Sequence, residues 1–366
     1  MKKVILLLFI FILTYFKTNA QAVSLNNGEI DLLKNLVNSD PSAKATFEAF
    51  RSASVKAFAE QPNPVEEIMS EGLLAGNLDK IRSLKAVEDA DKIYALALVY
   101  RVDGNKAYLN KATDYLQAWA KVNKSSGDPI DETKLEPLYA GYDLIRDSIN
   151  TNAKKVIDKW LNSIADGEIN SEHATGNKGT AINNWNSHRI KIIAMISYAI
   201  KNKSNYKIIE HEMTKQIGIN LYADGSGYDF KERDALHYHI YTLEPLVMAA
   251  TVIYRATGTD YFNYQSPGGS SIKKSMDFLV PFVTGEKTHG EFLNSTAAFD
   301  RARAKNGEAG YQAGAAFKPA TGIYVLEEAS YFDSKYLQAI KAVSPEKYNN
   351  DWQLLLNKVR KPFINK

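Results

Sequence analysis

The chain of 366 residues contains no cysteine. This absence excludes disulfide bonds, thiolate metal sites and a lipid anchor attached through cysteine. Stability must therefore come from packing, and a chain of this length can bury a large apolar core.

Several short motifs of known chemistry are also missing. The chain has no Gly-x-Ser-x-Gly elbow of serine hydrolases and no His-Glu-x-x-His zinc motif. The Gly-Ser-Gly at residues 225–227 lacks the Lys-Ser/Thr that completes a phosphate-binding loop. His237 and His239 are two residues apart, a spacing that suits metal ligation from a strand better than from a helix. We therefore predict no metal and no cofactor.

The first residues have the layout of a secretory signal peptide. Two lysines precede an apolar run at residues 4–16, and small and polar residues follow up to Ala20. The run is shorter than the ~20 residues of a membrane span, although an uncleaved N-terminal anchor is an alternative. We predict that residues 1–20 are removed, that the mature protein starts near Gln21, and that it is periplasmic or secreted.

The predicted mature chain carries no net charge. The full sequence has 45 basic and 42 acidic residues, and three of the basic residues are lysines of the signal peptide. The 42 basic residues that remain balance the acidic ones, so no overall field favours nucleic acid or an anionic membrane as a partner. An anionic ligand must be bound by a local cluster of charges.

Apolar residues recur at helical spacing nearly throughout residues 21–366. The stretch at 87–104, for example, places apolar residues from Ile93 to Tyr100 on one side of a helix, whereas residues 322–329 are ambiguous between helix and strand. Short turns separate the helices, and no linker or fixed-period repeat divides the chain. The pattern predicts an all-α single domain, an (α/α)n toroid or incomplete α/α barrel rather than a solenoid.

Three polar, irregular segments interrupt the helical pattern, at residues 174–189, 222–239 and 284–314. Long irregular segments inside a compact domain are usually functional or disordered. Two of them lead into helices that carry histidines, and we expect all three to border one cleft.

The first of these segments contains the sequence NNWNSHR. If a helix begins near Asn184, then Asn184 and His188 are four residues apart and share a face, with Trp185 as a rigid wall beside them. The alternative is that Asn183 or Asn184 caps the helix and His188 is a packed helical histidine.

The second segment leads into ERDALHYHIYTLEPL, which carries Arg233, His237, Tyr238, His239 and Tyr241. In a helix, His237 and Tyr241 are four apart, and Arg233 lies one turn before His237. Successive residues of a helix point about 100° apart, so the four aromatic side chains cannot all face one site. Two of them are expected to pack in the core or lie on the surface without a role in function.

INNWNSH followed further along the chain by ALHYHIYTLEPL resembles the alginate lyase superfamily of polysaccharide lyases, which have an α/α toroid fold. DETKLEPLYAGYDLIRD and ADKIYALALVYRVDGNKAYLNKATDYLQAWA resemble the earlier helices of that family, so that most of the mature chain is covered. The resemblance implies β-elimination on a 4-linked uronic acid polymer, either alginate, with the mannuronate type favoured, or glucuronan. The implied partner is an anionic polysaccharide.

The chain departs from the best-known subgroup of that family at two places. That subgroup has Asn-Asn-His where this chain has Asn-Asn-Trp, so His188 would have to supply the histidine. Its arginine lies seven residues before the tyrosine, where this chain has Lys231, and Arg233 would have to replace it. The pattern is closer to a divergent, Bacteroidetes-type uronan lyase.

The resemblance also implies roles for individual residues. Tyr238 would be both base and acid, and Asn184, His188 and Arg233 would neutralise the carboxylate at C5 of the sugar. Cationic neighbours are expected to lower the pKa of Tyr238 from its ordinary value of ~10. Tyr241 is expected one turn deeper in the protein, as a packed tyrosine.

Further side chains are expected to line the sugar-binding subsites, although a solvated surface charge is an equal alternative for the charged ones. These residues are Lys134, Trp185, His237, His239, Tyr241, Lys287, His289 and Arg303.

Two other classes of protein remain open from the sequence. One is a non-catalytic, carbohydrate-binding helical protein, which would lack the acid–base residues. The other is an α/α-toroid glycoside hydrolase that uses two carboxylates. The candidate carboxylates in polar segments are Asp131, Glu132, Asp224, Asp229 and Glu232.

Overall fold

The computed structural model describes residues 21–174 and 178–361. The predicted signal peptide, residues 1–20, lies outside the described residues. Within the two described ranges, no helix is long and apolar enough to cross a membrane.

Helices account for nearly all regular structure in these ranges, which confirms the predicted all-α class. The α-helices are α1 (Asn27–Ser39), α2 (Pro41–Ala59), α3 (Leu78–Asp103), α4 (Lys106–Val122), α5 (Pro129–Glu132), α6 (Glu136–Ile145), α7 (Thr151–Ile169), α8 (Asn184–Ile200), α9 (Tyr206–Asn220), α10 (Tyr228–Arg233), α11 (Leu236–Thr257), α12 (Ile272–Val283), α13 (Ala298–Lys305), α14 (Ile323–Ala329), α15 (Lys335–Val343), α16 (Pro345–Asn350) and α17 (Trp352–Arg360). Single turns of 3-10 helix lie at Thr133–Leu135, Glu172–Ala174, Gly179–Ala181, Lys203–Asn205 and Pro319–Gly322.

Two short strands complete the structure. The strand β1 (Gly290–Glu291) pairs antiparallel with β2 (Ala315–Ala316). Their pairing brings the start of the long polar segment at residues 284–314 next to its end. The stretch that was ambiguous in the sequence, at residues 322–329, is helical as α14.

The helices end where the sequence provides capping residues. The helix α3 stops at Gly104, which adopts the left-handed conformation with φ 76°. Asn105 then caps α4, because its side-chain oxygen accepts the backbone N–H of Ala107 at 2.9 Å. A glycine after one helix and an asparagine before the next are the expected stop and start signals.

Two layers of helices follow from the distribution of apolar residues. The helix α8 is buried on all sides except at Trp185, and α11 is largely buried, as is expected of helices in an inner layer. The helix α7 instead buries a single apolar stripe against α8. Neighbouring inner helices are α3, α6, α8, α11 and α14, and the helices packed outside them are α4, α7, α9, α12 and α15.

The inner helices surround a common cavity of about 350 Å³. Side chains of α3, α6, α8, α11 and α14 line this cavity, and α17 closes the gap that they leave. The predicted toroid of paired helices, an incomplete α/α barrel, is therefore confirmed.

The N-terminal segment, residues 21–26, closes one end of the toroid. Arg255 near the end of α11 donates to the Ser24 carbonyl at 2.7 Å and to both carboxylate oxygens of Glu29 at 2.6 and 2.8 Å. Arg360 at the end of α17 donates to another carbonyl of the segment at 3.3 Å. The helices α8 and α11 both begin at the opposite end.

Candidate active site

The starts of α8 and α11 lie at the open end of the toroid. The helix α8 begins at Asn184, as expected, because the Asn183 side chain accepts the backbone N–H of Trp185 at 3.0 Å and caps it. The helix α11 begins at Leu236 and carries His237, Tyr238 and Tyr241 on its first turns.

The polar segment at residues 284–314 fastens the start of α11. Glu291 of β1 accepts the backbone N–H groups of Leu236 and His237 at 2.9 and 3.1 Å. Asp234, just before the helix, has a φ of 47°, and its carboxylate accepts the backbone and amide N–H groups of Asn294, both at 2.9 Å. These bonds hold a residue in an uncommon backbone conformation and bring the following α13 over α11.

Tyr238 lies between two guanidinium groups and a carboxylate. Its hydroxyl accepts from Arg303 Nη1 at 3.0 Å and donates to Asp300 Oδ1 at 3.4 Å. Arg233 Cζ lies 4.2 Å from the centroid of the Tyr238 ring, and Arg233 Nη1 donates to Asp300 Oδ1 at 2.5 Å. The side chain is therefore fixed on both its face and its hydroxyl.

The expected depression of the Tyr238 pKa is wrong. Tyr238 is only 5% exposed, and burial raises its pKa far above the ordinary value, although the charge of Arg233 opposes this shift. Desolvation disfavours the phenolate more strongly than the nearby cations favour it. Tyr238 is consequently a phenol at neutral pH.

Two members of this cluster, Asp300 and Tyr311, were missed from the sequence. The Tyr311 hydroxyl accepts from Arg303 Nη1 at 3.0 Å, so one guanidinium nitrogen bonds two tyrosines. A signal was present, since Asp300 and Arg303 are three residues apart and would share a face of a helix. Their segment was recognised only as polar.

His237 forms an accessible wall of the cleft. Its ring centroid lies 5.2 Å from that of Tyr238 and 6.0 Å from that of Tyr311, and its plane is nearly parallel to that of Tyr241 at 6.4 Å. The side chain is exposed, yet desolvation and then the charge of Arg303 lower its pKa. Exposure together with desolvation is expected of a side chain in a concave site, and the imidazole is neutral at pH 7.

His188 lies next to Tyr241, which separates it from Tyr238. The ring centroids of His188 and Tyr241 are 4.3 Å apart, and His188 Nδ1 is 3.1 Å from Thr133 Oγ1. Burial, followed by the charge of Lys191, lowers the pKa of His188 well below its ordinary value. His188 is therefore a neutral, buried side chain behind the cleft wall.

The accessibility of the two tyrosines is the reverse of our expectation. Tyr241 is half-buried, with its ring between those of His188 and His237, whereas Tyr238 is buried. Tyr241, which was expected to pack deeper, is therefore the more exposed of the two tyrosines. It lies on the side of α11 that faces His188 of α8.

Asn184 is turned into the protein. Its backbone N–H and its side-chain amide donate to Asp229 Oδ1 at 2.9 and 2.5 Å. Asn220 donates to the other oxygen of Asp229 at 2.8 Å, and Thr242 donates to Asn220 at 3.3 Å. This buried network links the start of α8 to α11. It also engages the side-chain amide of Asn184, which was expected to bind substrate.

Lys134 and Trp185 lie at the edges of the site. Lys134 Nζ donates to the Ile130 carbonyl and is 3.6 Å from Asp131, and burial lowers its pKa. Trp185 is half-buried, with its ring 4.9 Å from that of His173. Both remain candidates for substrate contacts.

The structure places three other candidates elsewhere. His239 is buried, its Nε2 donates to the Ser275 carbonyl of α12 at 3.2 Å, and burial lowers its pKa to about 4. His289 Nε2 donates to the Asp234 carbonyl at 3.0 Å, and Lys287 is an exposed residue in the turn after α12. None of these three contacts the Tyr238 hydroxyl.

Three of the five carboxylates considered for a glycoside hydrolase, Asp131, Glu132 and Asp229, are engaged in structural bonds. Asp131 accepts the backbone N–H groups of Ser70 and Glu71, both at 3.0 Å. Glu132 accepts the N–H of Ser126 at 2.8 Å, and Asp229 holds the network behind α8. In residues 21–174 and 178–361, no three His, Asp or Glu side chains are grouped to hold a metal ion.

The toroid fold and a family match together define an α/α-toroid polysaccharide lyase. A sequence model of the alginate lyase family matches residues 33–289, and the chain therefore belongs to that family. No curated protein matches the chain in sequence.

Solved structures agree with this fold. An alginate lyase from Bacteroides ovatus is similar with a TM-score of 0.69 and 17% identity, over 93% of this chain and 99% of that one. Alginate lyase A1-III from Sphingomonas species A1 is similar with a TM-score of 0.56 and 20% identity, over 83% and 94% of the two chains. A variant of A1-III, complexed with a tetrasaccharide, has a TM-score of 0.56 and 19% identity, over 74% and 79%.

Proposed function

We propose that this lyase cleaves a 4-linked uronic acid polymer by β-elimination, with Tyr238 as the residue that transfers the proton. The observation that carries the proposal is the Tyr238 hydroxyl, bonded to Arg303 and Asp300, with Arg233 against the ring and the accessible His237 beside it. A proton-transfer group, two cations and a cleft wall are thus combined at one point.

The reaction needs a group to remove the proton at C5 and another to neutralise the adjacent carboxylate. Negative charge moves onto that carboxylate as the C5–H bond breaks, so cations positioned beside it lower the barrier. Arg303 and Arg233 supply fixed positive charge at the Tyr238 hydroxyl and ring, and the neutral His237 can donate or accept a hydrogen bond. We assign neutralisation to the arginines, since the Asn184 amide donates to Asp229 and His188 is a buried, neutral side chain.

The proposed substrates are mannuronate-type alginate or glucuronan. In these sugars the C5 proton and the O4 substituent lie on the same face, so a single tyrosine can take the first and protonate the second. We assign this role to the Tyr238 hydroxyl, which has both a guanidinium and a carboxylate as partners. A guluronate chain would need a second proton-transfer group on the opposite face.

An ultraviolet assay tests the proposal, because elimination creates a conjugated double bond and hydrolysis does not. Polymannuronate, polyguluronate, glucuronan and hyaluronan are compared in a chelating buffer. We expect absorbance to rise with polymannuronate or glucuronan. New reducing ends without absorbance would indicate a glycoside hydrolase. Binding without cleavage of any of the four would indicate a carbohydrate-binding protein.

We also propose that the protein is exported to the periplasm or secreted, because residues 1–20 have the composition of a signal peptide. Mass spectrometry of protein recovered outside the cytoplasm is expected to show an N-terminus at or near Gln21. An intact Met1 on that material would contradict export by cleavage.

A further inference from the structure

We propose that Asp300 is the positioning and proton-accepting partner of Tyr238, taking the phenol proton while the Tyr238 oxygen takes the proton from C5. This inference rests on the proposed β-elimination and deepens it. It assigns a role to a buried carboxylate that the reaction otherwise leaves unused.

The Asp300 carboxylate is held in one orientation, with its Oδ1 facing the Tyr238 hydroxyl. Asp300 is 2% exposed, and its Oδ2 accepts from Ser295 at 2.6 Å. Its Oδ1 is shared between Arg233 at 2.5 Å and the Tyr238 hydroxyl at 3.4 Å. A carboxylate held by two other donors keeps a fixed orientation toward the tyrosine.

The partners of the hydroxyl decide where its proton goes. Arg303 has only N–H donors and no acceptor, so the Tyr238 oxygen must use a lone pair toward Arg303. The Tyr311 hydroxyl and the Asp300 carboxylate are both within reach, and the charged carboxylate is the stronger acceptor, so the hydroxyl hydrogen points to Asp300. The remaining lone pair of Tyr238 is free for a proton from the substrate.

This arrangement explains how a buried tyrosine acts as a base without first becoming a phenolate. Burial raises the pKa of Tyr238, so few molecules hold an ionised tyrosine at neutral pH. If the phenol loses its own proton to Asp300 as it gains another, no free phenolate forms. Negative charge passes from the carboxylate to the substrate.

The C5–H bond breaks, its electron pair enters the enolate of the sugar carboxylate, and the proton binds Tyr238 Oη while the phenol proton moves to Asp300. The enolate then forms the C4–C5 double bond and expels O4 with the electrons of the C4–O4 bond. Tyr238 protonates O4 and recovers its proton from Asp300, which ends as a carboxylate.

Other charged and titratable groups surround the pair, and each is on an element packed against it. Arg233 and Arg303 contact Asp300 or Tyr238 directly, while Glu232 and Glu308 lie 3.7 Å from those two arginines. His237 and Tyr311 face the ring and hydroxyl of Tyr238.

The test compares Asp300→Asn with the unmodified protein on the best substrate of the ultraviolet assay. Asparagine keeps the shape but cannot take the proton, so kcat is expected to fall by about 10²-fold or more. The pH dependence of kcat/KM is measured for both proteins. In Asp300→Asn the remaining activity should rise about tenfold per pH unit toward alkaline pH, since only the phenolate can act, whereas the unmodified protein should show no such rise near neutral pH.

Two further variants separate proton transfer from support. Asp300→Glu restores a carboxylate and should recover part of kcat and remove the alkaline rise seen in Asp300→Asn. Asp158→Asn is the matched control, because Asp158 accepts from the Tyr142 hydroxyl at 2.6 Å and from Arg146 at 2.8 Å in a similar group on α6 and α7. It should leave the pH profile unchanged.

The outcomes distinguish the inference from the proposed function. If the unmodified protein shows no elimination on any uronan, the proposed function fails. If it is active and Asp300→Asn lowers kcat without changing the shape of the pH profile, Asp300 only supports Arg233 and the inference is wrong. Adding Asp300→Asn to Tyr238→Phe should cause no further loss, and a multiplicative loss would also overturn it.

Discussion

Tyr238→Phe is expected to lower turnover by at least about 10²-fold, the lower end of what a positioned acid–base group contributes. The change removes the oxygen that takes and returns the proton but keeps the ring against Arg233. Thermal stability and the affinity for an oligosaccharide should stay close to those of the unmodified protein. Initial rates of double-bond formation and binding calorimetry provide the two measurements.

Tyr241→Phe is the matched control on the same helix. The Tyr241 side chain as a whole is more exposed than that of Tyr238, and its ring lies between those of two neutral histidines. The variant should lose much less turnover, with any effect mainly on KM. If Tyr241→Phe abolishes elimination and Tyr238→Phe does not, the roles are exchanged. If neither change matters, the β-elimination mechanism proposed for this cleft is wrong.

Glu29→Ala is expected to destabilise the protein by about 3–5 kcal/mol, the usual cost of leaving one partner of a buried ion pair unpaired. Glu29 is fully buried, and both its oxygens accept from Arg255. Its loss leaves a buried guanidinium and also removes the reciprocal bond that caps α1. Urea denaturation followed by circular dichroism measures the change in the free energy of unfolding.

Glu88→Ala is the control for that measurement. Glu88 pairs with Lys85 on the surface of α3, where both side chains are largely exposed. Exposed pairs contribute about 0–1 kcal/mol, so this variant should unfold at nearly the urea concentration of the unmodified protein. Equal losses from Glu29→Ala and Glu88→Ala would show that the buried pair has no special role in closing the toroid.

Much of the fold was predictable because it depends on local and periodic features. The turn from Gly104 to Asn105 and the start of α8 after Asn183 were visible as stop and start signals. The burial of α8 on nearly every side follows from its run of apolar residues. The conformation of residues 322–329 could not be predicted, because a short apolar run fits both a helix and a strand. Packing in the inner layer makes these residues helical.

The site was less predictable, because it depends on contacts between distant segments. The sequence indicated Tyr238 and Arg233 through their motif, but Asp300 reaches them from a segment whose path was unknown. The pKa of Tyr238 was predicted in the wrong direction, since a sequence shows the neighbouring cations and not the burial that outweighs them. Asn184 was given a substrate role because Asp229, its actual partner, is 45 positions away.

The N-terminal segment has a consequence for the order in which the molecule folds. The bond from Arg255 to Glu29 spans 226 positions, and the bond from Arg360 to the segment spans 337. Contacts between such distant positions slow folding, because a long loop must close before they form. A chain synthesised from its N-terminus must therefore leave Glu29 without Arg255 until α11 has been made, and Val23 without Arg360 until α17 has been made.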